Sequence, residues 1–100
     1  MNKDIFGLNG KAAVVTGGGG ALGGSMAMAL VKRGAAVALL DVRESAAADA
    51  AGRITSAGGR AIGVLCDVLD EKSLADAAAK VVGEFGRVDI LVNAAGGNGP

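Results

Sequence analysis

The chain has 100 residues, enough for at most one domain, with 51% hydrophobic content and ten acidic residues balanced by ten basic ones. Balanced charge and only two aromatics, both Phe, argue against nucleic acid as the main partner. No apolar run approaches the roughly 20 residues that a membrane span needs, and His, Tyr and Trp are absent, so neither a His-based triad nor a zinc site can be built.

The polar start, Met1-Asn2-Lys3-Asp4, lacks the apolar core of a signal peptide. Cys66 is the single cysteine, which fits a reducing compartment, the cytoplasm. It lies in an apolar run and reads as a buried structural thiol.

Lys11–Thr16 reads as a first strand, continuously apolar over Ala12-Ala13-Val14-Val15, as a strand covered on both faces should be. Thr16-Gly17-Gly18-Gly19-Gly20-Ala21-Leu22-Gly23 follows and leads into an amphipathic stretch, Ala21–Arg33. Leu22, Met26, Ala29 and Leu30 recur at helical spacing there and are expected to form its buried face. Gly34 stands where a helix stop belongs.

Ala35–Asp41 reads as a second strand. Glu44–Ala57 reads as a helix with Ala47, Ala51 and Ile54 on one side, closed by Gly58-Gly59. Ala61–Cys66 is a third strand. Asp70 is an N-cap for a third helix carrying Leu74, Ala78, Val81 and Phe85 on one side and stopped by Gly86. Val88–Asn93 is a fourth strand, followed by the glycine-rich segment 94–100.

The order β-α-β-α-β-α-β implies an α/β fold: a Rossmann-type doubly wound parallel sheet, here only its N-terminal half. A further helix and strands are expected to cover the far side of the fourth strand. Residues 1–100 therefore read as the truncated N-terminal part of one nucleotide-binding domain.

A glycine turn between a strand and a helix lets backbone N–H groups approach a phosphate, and the helix end adds partial positive charge. A pyrophosphate-bearing cofactor is the natural ligand. Two registers fit: Gly18-x-Gly20-x-x-Gly23 is the generic dinucleotide fingerprint, and Thr16-Gly17-x-x-x-Ala21-x-Gly23 is a second spacing. In either, Gly17 makes the turn, Leu22 offers a backbone N–H, and Gly23 lets helix and strand pack closely.

Asp41 ends the second strand, where a carboxylate can accept hydrogen bonds from an adenosine ribose and repel a 2′-phosphate, favouring NAD over NADP, although Arg43, a cation two residues on, could reach such a phosphate. Asp67-Val68 follows the third strand: either an adenine contact, with Val68 on the ring, or a plain strand-end turn. Asn93-Ala94-Ala95-Gly96 follows the fourth: either a small-residue floor for a flat ligand, with Asn93 bridging loop backbones, or a tight turn.

These four motifs together resemble the short-chain dehydrogenase/reductase family. That family shows Thr-Gly-x-x-x-Gly-x-Gly after the first strand, an acidic residue ending the second in NAD-preferring members, Asp-Val after the third and Asn-Asn-Ala-Gly after the fourth. Here Ala21 and Ala94 replace a glycine and an asparagine, both by a small residue. The strings Gly-Gly-Gly-Gly-Ala-Leu-Gly-Gly and Ala-Gly-Gly-Asn-Gly-Pro are similar to members of the mannonate/fructuronate type.

The resemblance implies a cofactor-binding set of Gly17, Gly20, Ala21, Leu22, Gly23, Asp41, Asp67, Val68, Asn93, Ala94, Ala95 and Gly96. It implies NAD as cofactor, hydride transfer to or from an alcohol, ketone or sugar acid, and a homo-oligomer, a tetramer, when full length. The family's catalytic Ser and Tyr-x-x-x-Lys lie beyond the fourth strand, so no catalytic residue and no metal ligand are assigned to this chain, which alone should be inactive. The alternatives are a non-catalytic nucleotide-binding module and a segment of an S-adenosylmethionine-dependent methyltransferase; the Asn93–Gly96 motif speaks against the latter.

Overall fold

The computed structural model describes residues 7–94. Seven elements alternate: β1 (Ala12–Thr16), α1 (Ala21–Lys32), β2 (Ala36–Asp41), α2 (Glu44–Ser56), β3 (Ala61–Leu65), α3 (Glu71–Phe85) and β4 (Ile90–Asn93). The strands form one sheet in the order β3-β2-β1-β4, and every pairing is parallel. The expected β-α-β-α-β-α-β order and parallel sheet are thus present, with element ends moved by a residue or two. Among the described residues, no helix is long and apolar enough to cross a membrane.

The period of two along each strand divides the core between the two faces. Ala13, Val15, Val37 and Leu39 point to one face, where they meet Ala27 of α1 and Ala50, Ala51 and Ile54 of α2. Val14, Ala38, Leu40 and Val64 point to the other, where they meet Ala77 and Val81 of α3. A sheet buried on both faces has no polar side, which explains the uninterrupted apolar runs of β1 and β2.

Small residues set how closely the layers approach. Ala47, Ala50, Ala51 and Ile54 of α2 are buried. A Cβ on Gly63 of β3 would lie 2.6 Å from the Ala47 carbonyl, so α2 rests directly on β3 backbone. The expected α2 face is therefore correct. So are the ends of α3: the Asp70 side chain accepts from the Lys72 N–H at 3.0 Å, and Gly86 closes the helix in the left-handed region at φ 78°. Cys66 is buried beneath α3, as its apolar surroundings predict.

Two expected helix faces are corrected. In α1 the fully buried positions are Gly23 and Ala27, with Leu30 half-buried, while Leu22, Met26 and Ala29 are exposed. The glycine turn clamps the start of α1 against β1, and only small residues fit beneath it; the large side chains turn outward. In α3, Ala77 and Val81 face the sheet, while Leu74 and Ala78 are exposed along the flank of the helix. That flank borders an apolar groove of about 680 Å³ over β1 and β4, lined by Val14, Leu40, Leu74, Val81 and Leu91 among others.

Candidate cofactor-binding site

The site lies along the C-terminal edge of the sheet, built mostly by backbone. The parallel ladder continues past the strand ends. Gly18 N–H donates to the Leu40 carbonyl at 3.0 Å, Cys66 N–H to Asp41 at 3.0 Å, and Ala94 N–H to Thr16 at 3.1 Å. These bonds bring the segments after all four strands to one edge.

After Thr16 the chain reverses at Gly17, whose φ of 69° lies in the region that glycine alone enters without cost. Gly20 N–H closes the turn on the Gly17 carbonyl at 3.1 Å. The turn is packed from beneath. A Cβ on Gly18 would lie 2.6 Å from the Leu39 Cβ, and one on Gly23 would collide with the Gly17 carbonyl oxygen. A Cβ on Gly20, by contrast, would meet nothing closer than the Gly17 oxygen at 3.5 Å and the Arg43 Nη2 at 3.9 Å. One side of the turn is therefore closed by protein, and the other opens toward Arg43.

Helix α1 begins on that open side. Its N-cap is Gly20, no side chain caps it, and its first turn carries no acid. No acceptor among the described residues pairs with the Ala21 or Leu22 N–H. Helix α2 starts instead with Glu44, and α3 has the Asp70 cap followed by Glu71. Unpaired N–H groups with the positive end of the helix dipole suit an anionic oxygen, and Gly20 leaves room for one.

Asp41 terminates β2 and is only 6% exposed. Its Oδ2 accepts from Gly19 N–H at 3.0 Å, which ties the β2 end to the glycine turn. Its Oδ1 accepts from the Arg43 backbone N–H at 2.9 Å and from Arg43 Nε at 3.2 Å, while Nη2 approaches Oδ2 at 3.4 Å. Burial pushes this carboxyl up, but the hydrogen bonds from Arg43 and Gly19 outweigh burial and hold it below the ordinary value.

The remaining sequence-derived positions differ in what surrounds them. Asp67 is exposed; its Oδ1 accepts from Leu69 N–H at 3.0 Å, and its own N–H donates to Ser73 Oγ at 2.8 Å. That is a local turn fixed to α3. Val68 packs against the α3-side core and lines the apolar groove. Asn93 pairs across the sheet with Thr16, whose Oγ1 donates to Asn93 Oδ1 at 2.8 Å, and Ala94 packs on the α1-side core. Ala95 and Gly96 lie outside the described residues.

The structure thus brings Gly17, Gly20, Ala21, Leu22, Gly23 and Asp41 together at one end of the sheet, beside Asn93 and Ala94. Asp67 follows the outer strand β3 on the same edge, while Val68 lines the groove with Thr16, Leu91 and Asn93. Three residues outside the sequence-derived set take part: Gly19 through its N–H to Asp41, Thr16 through its hydroxyl, and Arg43 through its guanidinium. Thr16 and Gly19 stood inside the glycine motif. Arg43 carried a weaker signal, a cation two residues past the acidic strand end.

The donor set fits a dinucleotide phosphate and ribose: unpaired N–H groups at a helix start, and a carboxylate bonded to the same turn. Residues 11–100 match the family model of short chain dehydrogenase. An uncharacterized oxidoreductase, UxuB, of Bacillus subtilis is 46% identical over 93 residues, covering 93% of this chain and 34% of that protein. A solved 7α-hydroxysteroid dehydrogenase, complexed with NADH and 7-oxo glycochenodeoxycholic acid, is similar at TM-score 0.92 and 38% identity, covering 100% of this chain and 39% of that one. A Haemophilus influenza protein assigned as a D-mannonate oxidoreductase, with bound NAD, is similar at TM-score 0.89 and 35% identity, covering 96% of this chain and 34% of that one. The chain spans between a third and two fifths of the length of the curated relatives it matches. By its motifs, sheet order and family match, this chain belongs to the short-chain dehydrogenase family.

Proposed function

We propose that this chain is the dinucleotide-binding N-terminal part of a longer short-chain dehydrogenase/reductase that uses NAD in preference to NADP. The observation that carries the reading is the bond from Gly19 N–H to Asp41 Oδ2 at 3.0 Å. It places the β2 carboxylate directly beside the turn that opens onto the α1 N-terminus. The relatives with bound NAD and NADH support a nicotinamide dinucleotide as the partner.

The roles of the residues follow from their chemistry. The Ala21 and Leu22 N–H groups hold the pyrophosphate. Asp41 accepts from the ribose hydroxyls and disfavours a 2′-phosphate by charge. Asp67 and Val68 contact the adenine, and Asn93, Ala94, Ala95 and Gly96 form the floor toward the nicotinamide. The nicotinamide ring, once bound, supplies the hydride chemistry; the protein binds and orients it.

The substrate of the full-length protein is an alcohol or ketone. The match to a protein assigned as a D-mannonate oxidoreductase supports a sugar acid. A cytoplasmic homotetramer completes the reading. Family membership leaves the methyltransferase alternative without support.

Calorimetric titration of the full-length protein with NAD and NADP tests this reading, with Gly17→Val as control. A β-branched side chain cannot adopt the Gly17 backbone conformation, so binding should be abolished. Unchanged NAD affinity in a folded Gly17→Val protein, or tighter NADP than NAD binding by the unsubstituted one, would overturn it.

A further inference from the structure

The opposite edge of the sheet holds a second cavity, of about 320 Å³. It lies at the N-terminal ends of the strands, the five residues of β1 away from the glycine turn, about 16 Å at ~3.3 Å per residue. Backbone turns at Gly10, Gly34 and Gly58 wall it, with Phe85 on one side. Two cations line it, Lys11 and Arg60, and no acid among the described residues does. They precede β1 and β3, on either side of β2.

Arg60 is held in place, yet most of its donors are unused. Its guanidinium carbon stands 4.8 Å from the Phe85 ring centroid, and Nη2 donates to the Glu84 carbonyl at 2.9 Å. That bond uses one of five N–H donors, so a bidentate fork remains. Neither Arg60 nor Lys11 makes an ion pair among the described residues. Asp89 is occupied by Arg87 Nε at 2.8 Å and by the Ala12 N–H at 2.9 Å. The partial negative charge of a helix C-terminus accounts for one cation held against it, as Arg60 is against the end of α3. It does not account for two cations lining one cavity without an acid.

We infer that this cavity is an anion site for a phosphate group, at the opposite edge from Asp41 and independent of the cofactor reading. The ligand class follows from the donors. A guanidinium fork alone takes up both oxygens of a carboxylate. A phosphate monoester has a further oxygen for Lys11, and its charge of about −1.5 to −2 at pH 7 matches two cations. Free inorganic phosphate and the phosphate end of a small organic molecule share this chemistry.

The test is phosphorus NMR line broadening by the full-length protein, with NAD in excess to fill the dinucleotide site and ionic strength fixed by sodium chloride. The probes are inorganic phosphate and glycerol phosphate, with acetate as competitor. Saturable broadening is expected. Arg60→Gln should weaken binding about tenfold, the loss of one charge-assisted contact. Lys11→Gln should weaken it about two- to fivefold, the range of an exposed ion pair. Lys80→Gln removes an exposed α3 cation outside the cavity and should change nothing. Circular dichroism verifies folding, and Lys11→Gln, which has no ion pair to lose, decides the matter if Arg60→Gln does not fold. Tighter binding of glycerol phosphate assigns the site to an organic phosphate, and equal or weaker binding assigns it to the free ion. Broadening that does not saturate, an equal loss in Lys80→Gln, or displacement by acetate at equal concentration overturns the inference and leaves the cofactor reading standing.

Discussion

Thr16 and Asn93 sit opposite one another at the ends of β1 and β4, and the Thr16 hydroxyl donates to Asn93 Oδ1 at 2.8 Å. The sheet order β3-β2-β1-β4 makes β1 the strand from which successive connections run to opposite sides. The crevice at the C-terminal ends of β1 and β4 is thus the topological switch point, where open parallel sheets bind ligands. Thr16 is 7% exposed, so its hydroxyl has little access to water as an alternative acceptor.

Thr16→Val keeps the shape and removes the donor. It should cost about 1 kcal/mol of stability and release the Asn93 side chain. Dinucleotide affinity should fall as well, because Asn93 then no longer holds the crevice wall. Urea denaturation and calorimetry measure both, with Thr16→Ser as the control that keeps the hydroxyl. No loss in Thr16→Val would show that the hydroxyl contributes to neither.

The element order was legible because apolar runs and glycine stops punctuate this chain at every boundary. The four motifs were legible because each follows a strand, and parallel strands deliver their C-terminal ends to one edge. The α1 face was not. Periodicity gives weight to large side chains, so Leu22 and Met26 outvoted Gly23 and Ala27, yet close backbone packing selects the smallest residues. The Leu74 and Ala78 flank of α3 misled for a related reason: these residues are apolar but border the groove over β1 and β4 instead of lying beneath the helix. The Asp41–Arg43 pairing was hidden because spacing in sequence does not report which rotamer a long side chain adopts.

Asp41→Asn should relax the preference for NAD, since it removes the charge that opposes a 2′-phosphate while retaining an oxygen for Gly19 N–H. Its stability effect should depend on pH. The folded carboxyl lies below the ordinary value of about 3.9, because hydrogen bonds outweigh burial. Its stabilising contribution is therefore complete above that value and is lost as pH falls through the lower, folded value. Asp89 is lowered in the same direction, first by its hydrogen bond from Arg87 and then by Ala12 N–H. The difference between wild type and Asp41→Asn isolates Asp41. Urea midpoints from pH 7 down to pH 2 should give a gap that is constant near neutrality and narrows in acid; a gap that widens in acid would contradict the sign.

Two glycine-to-alanine substitutions should have opposite signs. A Cβ on Gly23 collides with the Gly17 carbonyl oxygen, so Gly23→Ala must push α1 off the turn, at about 1–3 kcal/mol. A Cβ on Gly52, inside α2, meets nothing within 4 Å. Gly52→Ala should stabilise by about 0.5–1 kcal/mol through helix propensity. Thermal unfolding reads both, and destabilisation by Gly52→Ala would show that α2 has a partner on that side.

Residues 1–100 expressed alone should associate and should not reduce NAD with any alcohol. Strand β4 is an edge of the sheet, with its outer row of N–H and C=O groups unpaired among the described residues. Leu91 of that strand is 68% exposed, and Leu69, which lines the same apolar groove of about 680 Å³, is 92% exposed. An edge and an apolar surface side by side favour pairing with a second copy over a stable monomer. Activity is expected to be absent for a separate reason. The sequence has neither Tyr nor His, so it has no such side chain to exchange a proton with a substrate oxygen, a contribution worth roughly 10²–10⁴-fold. Size-exclusion chromatography with light scattering, across a range of protein concentrations, should show mass rising with concentration. A concentration-independent monomer that unfolds cooperatively, or measurable NAD reduction with a sugar acid, would mean that these 100 residues are sufficient in themselves.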